Sequence, residues 1–143
     1  VTAHARTAAL IDAVETYFIA LHNCDTTLLD SVFHPAASLF DADRGDIFVD
    51  PLDNWKCDVA TRPSPASAGQ PPQRDIVSID WLSERCAVVK VRLRILDQVF
   101  VDHLSFVHGA DGFQIVAKVW HDATAEATGQ QTPARHAEQP ADW

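Results

Sequence analysis

The sequence predicts an α+β domain, with helices packed on a sheet whose long strands come late in the chain. Three observations carry this. Apolar residues recur every three or four positions between Thr2 and Asn23, the spacing of an amphipathic helix. They alternate strictly over Cys86–Ile95, as in a strand with one buried face. Finally, Val99 to His121 reads as two long strands joined by a tight turn at Asp111-Gly112.

Taken in order, the first helix presents Leu10, Ile11, Val14, Tyr17, Phe18 and Leu21 as its buried stripe. Asp25 and Thr26 can cap a second short helix running through Phe33. His34-Pro35 stops it, because a residue before proline is pushed out of helical geometry. A short strand, Ala37 to Asp41, then turns through Asp43-Arg44-Gly45-Asp46 into Ile47-Phe48-Val49. Asp50-Pro51 has the form of an N-cap followed by a first-turn proline, opening a third helix with Leu52, Trp55 and Val59 on one flank. The Pro, Ser, Ala and Gly content of residues 61–74 predicts an exposed connection. Strands follow at Asp75–Leu82 and Cys86–Ile95, the second with Ala87, Val89, Val91, Leu93 and Ile95 inward and Lys90, Arg92 and Arg94 outward.

The late hairpin holds the most informative residue. Asp102 shares a strand face with Phe100, Leu104 and Phe106. A carboxylate among large apolar side chains loses hydration and must find a partner, stay protonated or border a cavity. A two-residue turn at Asp111-Gly112 puts Ile115, Ala117, Val119 and His121 on that face, and Lys118 and Trp120 on the opposite one with His103. A three-residue loop would reverse the assignment. On the first reading Tyr17 and His121 are the expected partners of Asp102, and Lys90, Arg92 and Lys118 lie too far round the sheet to oppose its desolvation.

At 143 residues the chain suits one domain, expected over 1–121, followed by a tail at 122–143 that packs on its own or a neighbouring subunit through Trp143. The net charge of −9, with scattered Lys and Arg, argues against nucleic acid or an anionic membrane as the main partner and suits a small-molecule ligand. Cys24, Cys57 and Cys86 are odd in number and lack metal or redox spacing, as reduced thiols of a cytoplasmic protein would be. No apolar run reaches the roughly 18 residues of a membrane span, and no secretory signal pattern is present. His103, His108 and His121 share no face with a set of carboxylates, so no metal is expected. No glycine-rich phosphate loop, nucleophile elbow or Cys-His pair suggests a cofactor or covalent hydrolysis.

The helix ending in Tyr17-Phe18, Asp25, the Phe33-His34-Pro35 step, Asp46-Ile47-Phe48 leading into Trp55, and Val101-Asp102-His103-Leu104 followed by Asp111-Gly112 and Lys118 together resemble the nuclear transport factor 2-like (NTF2-like) superfamily. Within it the chain is similar to the Putative lumazine-binding and SnoaL-like proteins over about Ala8 to His121. The resemblance implies a cone: three N-terminal helices packed on a curved antiparallel β-sheet, with a cavity between them. It implies a homodimer through the outer sheet face, expected to carry Lys90, Arg92, His103, Lys118 and Trp120. The expected pocket draws Tyr17, Phe33 and Trp55 from the first half of the chain. From the hairpin it draws Phe100, Asp102 and Leu104, then Ala117, Val119 and His121. Similarity to ketosteroid isomerases maps a possible proton-transfer trio onto Tyr17, Asp41 and Asp102. The leading expectation is a small-molecule-binding protein for a lumazine-like or other heteroaromatic ligand. The alternative is a cofactor-independent isomerase, dehydratase or cyclase using acid-base chemistry.

Overall fold

Thr2 opens the first helix, α1 (Ala3–Asn23), by accepting the Ala5 amide on its hydroxyl at 3.0 Å. Cys24 closes it in a left-handed conformation, φ 49°, which turns its amide back to the carbonyls of Ala20 and Leu21. Leu10, Val14, Tyr17, Phe18 and Leu21 are buried as the spacing predicts, whereas Ile11 stays at the surface. The computed structural model describes residues 1–129 of the chain. In the next helix, α2 (Thr26–Val32), the Asp25 carboxylate accepts the amides of Thr27 and Leu28, as expected of that cap.

Phe33 opens strand β1 (Phe33–Asp41) instead of ending the helix. His34-Pro35 falls inside this strand, where pairing is irregular between Phe33 and Ser38 and a residue without an N–H is tolerated. Strand β2 (Phe48–Pro51) pairs antiparallel with β1. Asp50 is therefore a ladder residue opposite Leu39 and does not cap the third helix, α3 (Leu52–Thr61). Leu52, Trp55 and Val59 nonetheless form its buried flank. The following connection is better anchored than its composition suggests. Pro65 is buried, and the Gln70 side chain both accepts the Leu96 amide and donates to the Leu96 carbonyl at 3.0 Å.

Four long strands complete the sheet: β3 (Arg74–Ser83), β4 (Cys86–Ile95), β5 (Gln98–Gly109) and β6 (Gly112–Asp122). The spatial order is β2-β1-β6-β5-β4-β3. Every neighbouring pair is antiparallel except β1 with β6, so the α+β class holds while the sheet is mixed. The inward set of β4 is as read from its alternation, and it forms one core with Leu104, Phe106 and Ile115 and the buried faces of the helices. Burying such side chains contributes on the order of 1.5–3 kcal/mol each before entropy is counted.

The β5–β6 hairpin departs from the expected pairing in an instructive way. Its two turn residues are Ala110-Asp111, and Gly112 takes φ 91°, a conformation that side-chain-bearing residues rarely adopt. This shift of one position preserves the parity, so Ile115 faces inward as predicted, with Phe113 on the same face. The ladder then slips: Phe106 pairs with Ile115 but Ser105 pairs with Ala117, leaving Val116 as an extra residue, a β-bulge. Beyond it the faces are exchanged. Lys118 pairs with Leu104 and Trp120 with Asp102, so both join the inner face. Ala117, Val119 and His121 turn outward, with Val119 51 % exposed.

β6 runs past the expected boundary at 121. Ala123 donates to the Val99 carbonyl at 2.8 Å, Thr124 Oγ1 accepts the Val99 amide, and a short helix, α4 (Thr124–Gly129), follows. The expected anchor Trp143 lies outside the described residues.

Candidate functional site

The inner face of β5 carries Asp102 into the core, where it is 1 % exposed. Facing it from the middle of α1, the fully buried Tyr17 donates its hydroxyl to Asp102 Oδ2 at 2.6 Å. The bulge in β6 brings Lys118 alongside, its Nζ 3.9 Å from the same oxygen. That separation is an ion pair and is too long for a direct hydrogen bond. Asp102 Oδ1 has no hydrogen-bond partner among the described residues.

Aromatic rings complete the surroundings. Lys118 Nζ lies over the ring of Trp55, 4.3 Å from its centroid, and 5.3 Å from that of Tyr17, placing the cation against negative π faces. Phe33 stands between the two rings, 6.0 Å from Tyr17 and 5.4 Å from Trp55. Electrostatics follow from this burial. Desolvation pushes the Tyr17 phenol well above its ordinary range, reinforced by the charge and hydrogen bond of Asp102 and opposed by Arg62. Desolvation holds the Lys118 ammonium below its ordinary range; Asp102 opposes that shift and Arg62 adds to it.

A pocket of about 300 Å³ opens at this cluster. Trp55, Phe100 and Trp120 supply its aromatic wall, with Phe100 and Trp120 edge to face at 5.8 Å. Leu93 and Ile95 extend the apolar surface, Lys118 and Asp102 stand on one side, and Asp50, Asp58 and Arg62 add charge. Burial raises the Asp50 carboxyl above its usual range, helped by the negative charges of Asp58 and Asp41. A larger depression of about 450 Å³ lies at the ends of β3 and β4 among Gln73, Arg74, Asp75, Arg92 and Arg94. It holds none of the catalytic or ligand-binding residues expected from the sequence, and Arg74 there is already bound to Glu15 at 2.6 Å. The smaller pocket is the candidate site.

Of the residues expected there, Trp55, Phe100 and Asp102 line the pocket, while Tyr17 and Phe33 stand immediately behind them. Leu104 is fully buried in the core beside Lys118. Ala117, Val119 and His121 are on the outer face, a consequence of the bulge at Val116. Asp41 faces inward on β1 opposite Phe48, but its carboxylate accepts the Asp43 amide at 3.2 Å and is not part of the pocket wall. The expected trio is thus split: Tyr17 meets Asp102, and Asp41 stands apart. The Tyr17 hydroxyl is moreover committed to Asp102, so it is not free to donate to a ligand oxygen. Lys118 and Trp120 are the site residues that the alternation concealed, and Asp50 and Arg62, on either side of α3, carried no signal of their own. Among the described residues no three His, Cys, Asp or Glu side chains come together as a metal site.

The profile of the family described as Putative lumazine-binding matches residues 5–121, and the chain belongs to that family. Its fold is that of the NTF2-like proteins. An NTF2-like protein of unknown function from Silicibacter pomeroyi is 24 % identical, with a TM-score of 0.75 over 85 % of this chain and 99 % of that one. A second, from Shewanella baltica, is 17 % identical with a TM-score of 0.76 over 85 % and 97 % of the two chains. A cystatin-like fold protein from Burkholderia xenovorans is 13 % identical with a TM-score of 0.62 over 82 % and 91 %. No curated protein matches the chain at a significant level.

Proposed function

We propose that this protein binds a small, flat heteroaromatic molecule of the lumazine type in the pocket beside Lys118. One observation carries the reading: the aromatic wall of Trp55, Phe100 and Trp120 converges on a buried ammonium that is held by a carboxylate yet faces the pocket. Rings of that kind offer stacking area, and Lys118 offers a donor to a ring carbonyl or nitrogen. The family's description adds support. Support for acid-base isomerisation is weaker, since Tyr17 is spent on Asp102 and Asp41 stands off the pocket wall.

Native mass spectrometry of the full chain against a panel that includes lumazine tests the reading. A one-to-one complex that is lost in Trp120→Ala is the expected result. Failure of every heteroaromatic compound to bind at millimolar concentration would refute it.

We further propose a homodimer that meets through the outer sheet face. Val49, Val88, Val107 and Val119 are all more than a third exposed there, beside Lys90 and His103, an apolar surface rimmed by polar groups. The free thiols of Cys24, Cys57 and Cys86 support residence in the reducing cytoplasm. No helix among the described residues is long and apolar enough to cross a membrane.

A further inference from the structure

The chain has three lysines, and their surroundings differ sharply. Lys56 is paired with Asp30 at the surface, and Lys90 lies on the outer face of β4 opposite His103. Lys118 alone is buried, 6 % exposed, and lines the pocket. We propose that Lys118 is a nucleophile that forms a protonated imine with uncharged aromatic aldehydes and ketones entering this pocket.

The geometry supplies each requirement. A lysine in apolar surroundings beside a second cation is the arrangement that activates amines towards carbonyl carbon, and Arg62 is that second cation. The groups facing the amine are Asp102 from β5, Tyr17 from α1 and Arg62 beyond α3, with Asp50 and Asp58 elsewhere on the pocket wall. Burial and Arg62 lower the ammonium's pKa, while Asp102 works against them. Asp102 has a second use. Rotation of the Lys118 side chain closes the 3.9 Å gap, the ammonium passes one proton to this carboxylate, and the freed lone pair attacks the carbonyl carbon as the C–O π electrons move to oxygen. The oxygen takes up that proton and the nitrogen passes a second one to Asp102, giving a neutral carbinolamine. The nitrogen lone pair then expels the hydroxyl, which leaves as water with a proton returned through Asp102. Overall, ammonium and carbonyl give iminium and water, and nothing is oxidised or reduced.

The product suits the site because the iminium keeps the positive charge of the ammonium. Its attraction to Asp102 and to the Trp55 ring therefore survives the reaction. Asp50 and Asp58 disfavour carboxylate-bearing carbonyl compounds, and the aromatic wall favours aryl ones. Tyr17 acts as a positioning residue by holding Asp102 through Oδ2. The proposal rests on the pocket admitting a flat ligand, so the test separates entry from reaction.

The full chain is incubated near neutral pH with 2-naphthaldehyde and cyanoborohydride, then mapped by peptide mass spectrometry. Reductive labelling of Lys118 is expected to exceed that of Lys56 and Lys90 roughly tenfold, as befits a desolvated amine. Excess 2-naphthalenemethanol, which fits the same pocket but cannot form an imine, should suppress label on Lys118 and leave Lys56 and Lys90 unchanged. Lys118→Arg should lose the pocket label, and the competition arm gives the same information if that variant does not fold. If the alcohol binds by tryptophan fluorescence but the three lysines label equally, imine formation is overturned and ligand binding stands. If neither compound binds and Lys118 stays unlabelled, both the imine and the entry of aryl ligands are overturned.

Discussion

Tyr17 and Asp102, 85 positions apart in the chain, share a 2.6 Å hydrogen bond that ties α1 to the centre of the sheet. The phenol is the only donor within hydrogen-bond distance of the carboxylate among the described residues, since Lys118 stands at 3.9 Å and Oδ1 has no partner. Tyr17→Phe keeps the ring against Phe18 and Phe33 and removes this donor alone. Hydrogen bonds to charged groups contribute about 1.5–3 kcal/mol, and that loss is the expected outcome of urea denaturation of the variant. An unchanged unfolding midpoint would mean that Asp102 is held from elsewhere.

The ion pair beside it behaves differently when cut from one side. Lys118→Met takes the paired cation away from a buried carboxylate, which costs about 3–5 kcal/mol in comparable pairs. Adding Asp102→Asn removes the stranded charge while Tyr17 keeps an oxygen to donate to. The double variant should therefore be more stable than the lysine variant alone. A double-mutant cycle by denaturation measures the coupling, and additive losses would show that the 3.9 Å pair is not felt energetically.

These residues also mark how far the sequence could be read. Periodicity identified the α1 stripe and the inward set of β4 because each follows one repeat without interruption. Asp102 stood out as a polar residue on an apolar face, and Tyr17 was among its expected partners for the same reason. Lys118 and Trp120 were hidden by a single residue. Val116 and Ala117 are both apolar and of modest size, so nothing in their chemistry signals that one of them is extra. Past that point every alternate assignment reverses, which moved Lys118 and Trp120 inward and His121 out. Likewise Asp50-Pro51 has the composition of a helix start, but ladder pairing with β1 claimed Asp50 first.

His121, displaced from the pocket, acquires another role. Its Nδ1 lies 2.6 Å from Asp43 and its Nε2 2.8 Å from Glu126, joining the β1–β2 connection to α4. The hydrogen bond with Asp43, then that with Glu126, raise its pKa above the ordinary 6.5, with partial burial opposing them. A raised folded-state value means stability that is fully present below 6.5 and is lost as pH climbs through the folded value. Burial pushes the Asp43 carboxyl up, but the Asp122 amide and His121 bring it below its ordinary 3.8, so its contribution is lost on the acid side as pH falls through that lower value. The clamp is accordingly strongest between these limits. Denaturation midpoints across pH should decline on the alkaline side in the wild type, and His121→Gln should flatten that limb. A His121 NMR midpoint at or below 6.5 would contradict the clamp.

Val119 offers the sharpest test of the outer face. Its neighbours in register are Phe40 on β1 and His103 on β5, and it is 51 % exposed. Because the bulge turns it away from the pocket, a lysine at this position meets solvent in a monomer and needs no repacking of the core. In a dimer joined through this face the same lysine lies near its symmetry mate, where desolvation and like-charge repulsion both oppose association. Val119→Lys should shift sedimentation equilibrium from dimer to monomer, leave pocket binding of a heteroaromatic ligand intact, and change the monomer's unfolding midpoint little. Loss of ligand binding with an unchanged mass would instead put Val119 on the pocket face. A wild-type mass that stays monomeric at every concentration would dispose of the outer-face dimer altogether.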